Sequence, residues 1–291
     1  MNFIAALING LSAGGTYAII ALGYTMVYGI AKMLNFAHGD IIMVGGYAMY
    51  ITLLFAGHPV VALLAAIVCC VILGVLVERF AYKPLRGASP LAVLITAIGV
   101  SFLLQSVAQI AFGTSPKMLS ALKIDGFLSI GTLKIDYSTF VTLGVTVLVM
   151  VGLTLFVKYS KTGRAMVAVS EDRDAALLMG INTNAIIAIT FAVGSALAAV
   201  ACYLMLTKGA SVTATFGAMP GIKAFTAAVI GGIGSIPGAM LGGILLGVVE
   251  SISLSIPALA PFTDAVEFAI LIVILLVKPA GLLGKMRREK V

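Results

Sequence analysis

Six stretches of this chain contain no Lys, Arg, Asp or Glu: Met1 to Ala31, Ile41 to Val77, Gly87 to Pro116, Tyr137 to Val157, Ala175 to Thr207 and Ala224 to Val249. A run of about 18 apolar residues is enough for a helix to cross a bilayer, and most of these runs exceed it. Several could hold a span plus a turn or a half-helix. Hydrocarbon offers no partner for unpaired backbone groups, so such runs form helices stacked into a bundle. The sequence reads as an all-α polytopic membrane protein. Charged residues make up 10% of the chain, where soluble domains carry roughly 25%. Its 32 glycines follow no collagen period and suit helices that approach through small faces.

Crossings are expected at about 10–30, 40–57, 60–79, 90–112, 138–158, 185–206, 218–232, 237–256 and 264–278. The seventh is short and glycine-rich, so eight full helices plus broken or re-entrant segments describe the same pattern. All of it belongs to one transmembrane domain spanning 1–291. An outward loop at 113–137 and a cytoplasmic loop at 159–184 lie within that domain. The outward loop carries Lys123, Asp125, Lys134 and Asp136, and the alternation over Thr132–Asp136 suits a short strand. It reads as a solvated cap or as a docking face for an external partner.

The formal charge of +7 reports topology rather than nucleic-acid binding. Thirteen of the eighteen basic residues are Lys32, Arg79, Lys83, Arg86, Lys158, Lys161, Arg164, Arg173, Lys278, Lys285, Arg287, Arg288 and Lys290. They flank apolar runs that one alternating topology gathers on the cytoplasmic side of a bacterial inner membrane. This puts the amino terminus outside and the carboxyl terminus inside. The other five, Lys117, Lys123, Lys134, Lys208 and Lys223, fall mostly in the complementary loops. The first run lacks a basic n-region and outlasts a signal-peptide core, so it reads as a first span. Cys69, Cys70 and Cys202 lie inside apolar runs with no metal-ligand or redox spacing.

Two polar or breaker-rich interruptions stand out. Lys32–Asp40 separates two spans and is either a tight cytoplasmic turn or an interruption inside the bundle. Gly217-Ala218-Met219-Pro220-Gly221, with the later Gly231–Gly238 cluster, suits a broken or re-entrant segment. Such segments at membrane depth need protein or a water-lined cavity around them, as where transporters bind solute.

In the cytoplasmic loop, Ser170 can cap a short helix whose positive first turn holds Glu171, Asp172 and Asp174. Gly180 is a natural carboxyl stop. Between them, Ala175 to Met179 form an apolar knob that must dock, either on this chain or on a cytoplasmic partner.

Gly163-Arg164-Ala165, followed by Ala175-Ala176 and Gly180-Ile181, resembles the coupling segment of permease subunits from branched-chain amino acid ABC importers. The likeness extends through Leu34–Asp40, Glu78–Arg86, Gly231–Ala239 and Leu276–Gly284, in family order and over almost the whole chain. The compact size is most similar to the LivH-type subunit. The resemblance implies a second permease, expected to be a distinct LivM-type chain, two ATP-binding cassette ATPase subunits and an extracytoplasmic amino-acid-binding protein. It also implies that Ala175, Ala176 and Gly180, flanked by Arg164 and Asp172, form a coupling helix that enters a cleft on an ATPase. The chain has no GxxxxGK[ST] loop, so ATP and Mg are expected on the partners and this subunit is expected to be non-catalytic.

A zwitterion with an apolar tail needs polar or helix-terminal groups along its path. The polar groups available in or near the spans are Asn35, His38, Asp40, Thr96, Ser101, Gln105, Gln109, Thr190, Ser195, Thr226 and Glu250. Of these, Asn35, Ser101, Gln105, Gln109, Thr226 and Glu250 are the candidate pathway residues. Gln105 and Gln109 share a helix face that Ser101 extends. Glu250 is the boldest candidate, because charge in hydrocarbon is costly; its alternatives are an interfacial acid or a structural hydrogen-bond partner. His38 and Asp40, close to Lys32, read as turn stabilisers. Lys83 and Arg86 form a basic connection for headgroups or an ATPase, and Lys285–Lys290 read likewise. The same inventory admits urea, short amides or other amino acids as substrates. An ion-coupled secondary transporter is a weaker reading that rests on Asp40 and Glu250.

Overall fold

A computed structural model describes residues 3–130 and 133–284. Eight of its helices are long and apolar enough to span a membrane. In order, the helices are α1 (Phe3–Ala31), α2 (His38–Ala56), α3 (Pro59–Val77), α4 (Pro90–Phe112), α5 (Tyr137–Tyr159) and α6 (Lys161–Glu171). There follow α7 (Arg173–Leu178), α8 (Thr183–Thr207), α9 (Ala218–Gly231), α10 (Ile236–Ser255) and α11 (Thr263–Val277). Local chemistry sets several starts. Ser89 caps α4 by accepting from Ala92 N at 3.3 Å, with Pro90 in the first turn, and Ser235 and Pro237 do the same for α10. His58 accepts from Val60 N and caps α3.

α1 begins at Phe3 rather than near residue 10 and occupies the centre, touching α5, α8, α9 and α10. Its buried Ile19, Ile20 and Leu22 share one core with Ile41, Ile42 and Met43 of α2 and Ala198, Ala199 and Cys202 of α8. Toward α10 the seam is made of backbone. A Cβ added at Gly10 would lie 2.8 Å from Val248 Cα, and one at Gly14 would lie 2.7 Å from Ile244 Cα. Across the seam Gly243 and Gly247 face Ala18 and Gly14 just as closely. In lipid no hydrophobic drive holds helices together, so close small-residue packing does that work. The outer faces of α3, α4, α5 and α11 remain apolar and exposed, with Phe102, Ile110, Leu148 and Leu276 among them, as lipid-facing surfaces do.

α3 continues through one π-helical turn (Glu78–Tyr82) and one 3₁₀ turn (Lys83–Leu85). There the expected basic connection turns inward. Arg86 donates to Glu78 and to Asn184 at the start of α8, which ties α3 to α8. Burial lowers the Arg86 pKa, and Arg173 adds to that, while Glu78 opposes both.

Two short antiparallel pairings, one long-range and one a hairpin, decorate the opposite face. β1 (Lys117–Met118) pairs antiparallel with β4 (Ser211–Val212), and β2 (Phe127–Ile130) with β3 (Leu133–Asp136). The expected strand is therefore present over Leu133–Asp136; Thr132 lies outside the described residues. One face gathers Lys32, Arg86, Glu171 and Arg173, and the other gathers Asn9, Lys123, Asp136 and Lys208. The expected basic cluster Lys285–Lys290 lies outside the described residues.

The seventh crossing is half a helix. After β4 the chain turns back into the bundle, and α9 starts beside the start of α2, where Gly39 and Gly217 touch through backbone with no room for a Cβ. α2 itself starts deep, since a Cβ at Gly23 of α1 would meet the His38 ring at 2.6 Å. From Met33 to Asp40 the island is thus folded into the bundle and is not a surface turn, while Lys32 stays exposed at its start. At the other end of α9, Leu282 N and Leu283 N donate to Ile230 O and Gly231 O at 2.8 and 2.9 Å. The closing segment thereby satisfies the last carbonyls of α9.

Candidate functional site: a projecting helix and a polar interior

Ser160 ends α5 and caps α6, its Oγ accepting from Gly163 N at 2.8 Å. Gly163 lies against the Phe156–Val157 backbone, where a Cβ would not fit. α6 buries Gly163, Met166 and Val169 and leaves Arg164 exposed. The cap of the next helix is Asp172 and not Ser170. Asp172 Oδ1 accepts from Asp174 N and Ala175 N, both at 2.9 Å. Ser170 sits in the last turn of α6 and donates to Val167 O. A carboxylate at this N-cap satisfies two free amides and faces the positive end of the helix dipole.

α7 closes as the glycine suggested. Gly180, at φ +79°, lets Ile181 N reach Ala176 O and Gly180 N reach Leu177 O, both at 3.0 Å. This pair of bonds is the Schellman arrangement. Ala176 is buried against the rest of the chain and Ala175 is exposed. Leu178 and Met179 are 88% and 82% exposed. The knob is fixed at both ends and leaves its largest apolar side chains exposed.

Inside the bundle the polar residues divide into two groups. In the first, Asp40 is buried at the start of α2 and its Oδ1 accepts from Gln105 Nε2 at 2.9 Å. Gln105 Nε2 also reaches Ser101 Oγ at 3.1 Å. Beside them is a cavity of about 160 Å³ lined by Tyr24, Phe36, Gly39, Asp40, Ile98, Ser101, Ala218, Gly221 and Ile222. Asn35 is buried nearby, its Oδ1 accepting from Tyr82 Oη at 2.8 Å. His38 packs its ring edge to face with Tyr24, the centroids 4.7 Å apart. Ser101 and Gln105 thus meet as their spacing suggested, whereas Gln109 is exposed and stands apart. Thr226 is buried on α9.

The second group surrounds Lys223. By sequence it groups with cations that fall mostly in loops, but it is buried on α9. Its Nζ lies 2.6 Å from Glu250, 2.9 Å from Asp264 and 3.1 Å from Glu267. Tyr17 Oη of α1 also donates to Glu250 at 3.1 Å. Glu250, a pathway candidate whose alternatives include a structural hydrogen-bond partner, is an ion-pair and hydrogen-bond partner here, and the cluster ties α1, α9, α10 and α11 together. Lys223 lies inside the expected crossing at 218–232, but its charge partners are far away in the sequence. The usable signal was that Lys223 and Glu250 bound the charge-free run Ala224 to Val249, which puts opposite charges on neighbouring antiparallel helices.

Comparison with known proteins gives the family. Residues 6–275 match the family described as the permease component of branched-chain amino acid transport systems. The chain is 45% identical over 303 aligned positions to the high-affinity branched-chain amino acid transport system permease protein BraD of Pseudomonas aeruginosa. That alignment covers 100% of this chain and 98% of the relative. It is 43% identical over 305 positions, with the same coverage, to the corresponding permease LivH of Escherichia coli. A probable LivH of Methanocaldococcus jannaschii is 30% identical, covering 91% of this chain and 88% of the relative.

Proposed function

Because this chain belongs to the permease family of branched-chain amino acid transport systems, we propose that it is the membrane-spanning subunit of an ATP-driven importer of leucine, isoleucine and valine. It works by alternating access and hydrolyses no ATP itself. Two ATPase subunits carry ATP and Mg on the cytoplasmic side, a second permease of the LivM type completes the membrane unit, and an extracytoplasmic binding protein delivers the solute. The amino terminus lies outside and the face bearing Arg86, Arg164 and Arg173 is cytoplasmic, in keeping with the charge bias of inner-membrane loops.

The observation that carries this reading is α7. A helix of six residues does not persist in water unaided. Here Asp172 and Gly180 fix it, yet its apolar end is left uncovered. That combination suits a peg gripped by another subunit, with Arg164 and Asp172 flanking Ala175, Ala176 and Gly180 in the contact. A ligand-driven switch needs contacts that differ between two states, and a rigid peg transmits such a difference.

The test is uptake by liposomes containing this chain co-assembled with its neighbouring subunits. Leucine-dependent ATP hydrolysis and leucine accumulation are expected together. Leu178→Asp is expected to abolish both while the permease folds normally, since an exposed substitution costs stability only about 0.5 kcal/mol or less. Uptake unchanged by Leu178→Asp would remove the peg. Competition by urea, short amides or other amino acids in the same assay decides the substrate class.

A further inference from the structure

We propose that Asp40 and the cavity beside it form a transient subsite for the permeating amino acid, with Asp40 holding its ammonium group. The inference rests on the transport reading above and names the place where the solute is recognised inside the membrane.

Asp40 is 3% exposed, yet no Lys, Arg or His among the described residues pairs with it. Its side-chain support comes from neutral donors, with Gln105 on Oδ1. An acid inside a membrane bundle normally meets a fixed cation, as the acids around Lys223 do, or serves a passing one. Asp40 opens on a cavity of about 160 Å³, and about 150 Å³ is enough to hold a benzene-sized guest. The other walls suit a branched aliphatic tail: Phe36, Ile98 and Ile222.

The opposite end of a zwitterion is provided for as well. α2 and α9 both begin at this cavity, within the bundle. The positive end of α2 already has Asp40 in its first turn, whereas α9 has no acidic residue in its first turn. In that turn Ala218 N donates to Thr215 O and Pro220 has no N–H, so α9 offers a carboxylate the field of its positive end rather than a set of free amides. Ammonium at Asp40, carboxylate toward α9 and the tail among the three apolar side chains give one orientation for the solute. The few polar contacts keep binding weak, as a conduit requires.

Saturation-transfer NMR on the assembled importer tests this directly, with leucine and 4-methylpentanoate, which lacks the ammonium, as probes. The wild-type complex is expected to prefer leucine by about tenfold or more. Asp40→Asn is expected to collapse that preference to about twofold or less. Ile222→Trp, which fills the cavity from a partly exposed wall position, is expected to reduce the leucine signal at least fivefold, on the order of 1 kcal/mol of affinity. A preference unchanged in Asp40→Asn, or a leucine signal indifferent to Ile222→Trp, would overturn the subsite. If the preference depends on Asp40 but the wild-type importer accumulates no branched-chain amino acid, the subsite stands and the transport reading falls. Accumulation with an Asp40-independent preference gives the reverse.

Discussion

Two buried acids in this bundle sit in opposite electrostatic situations. Glu267 is fully buried beside Lys223, which also meets Glu250 and Asp264. Asp40 is nearly as buried and meets only neutral donors and a cavity. Taking a charge out of water costs several kcal/mol, and a partner in the chain offsets that only with good geometry. The Lys223 group therefore holds four helices in one arrangement. The Asp40 group holds nothing across the bundle beyond α4 and leaves its charge for something else to meet. Buried polarity alone does not identify a transport site; whether the chain itself completes the charge does.

The largest effect expected from this contrast comes at Lys223. Lys223→Met leaves Glu250 and the fully buried Glu267 without their cation, and breaking a buried pair from one side costs about 3–5 kcal/mol. A clear fall in the apparent Tm of the solubilised complex is the readout. Removing both sides, in Lys223→Met with Glu267→Gln, is expected to recover part of the loss, because the remaining acids are the less buried ones. A double variant no better than the single one would mean that Lys223 acts by packing rather than by charge.

The next effect belongs to the uncharged counterpart of that cluster, the α1–α10 seam. Gly247→Ala drives a methyl group into the Gly14 backbone. Overpacking of this kind costs about 1–3 kcal/mol. The same Tm measurement checks it, and Gly144→Ala, at a glycine with open space around it, is the matched control expected to change little. A middle effect is expected at α7, where Asp172→Ala removes two cap bonds. Loss of an N-cap costs about 1 kcal/mol, and here the cost is local. Proteolysis between α6 and α8 should rise while the global Tm hardly moves.

How far the sequence disclosed all this depends on what each feature rests on. The spans followed from charge-free runs, because lipid imposes one rule on every residue of a span. The half-helix α9 and the Gly180 stop were legible because Gly and Pro act locally. The stop of α7 was read correctly and its cap was not: Ser170 and Asp172 are both good caps, and only the length of α6 decides between them. Ser101 and Gln105 were found by helical spacing. Their partner Asp40 reads from sequence as a turn residue, since nothing local says that the chain after Lys32 folds back into the bundle. Lys223 was lost for the same reason. Its three partners lie 27, 41 and 44 residues away in sequence, and pairing over such separations is a property of topology.

The smallest effect is the one that separates the two acids most cleanly. Asp40→Asn keeps an oxygen for Gln105 and removes a charge that no residue of the chain pairs with. The hydrogen bond weakens, but the cost of burying the charge disappears with it, so stability is expected to change by about 1 kcal/mol or less. The same neutralisation at Glu267 strips a partner from Lys223 and is expected to cost more. Measured side by side in the solubilised complex, the two variants should differ in Tm in that order. A loss at Asp40→Asn equal to that of Lys223→Met would make Asp40 a structural strut, since only a charge on which the fold depends is missed when it goes.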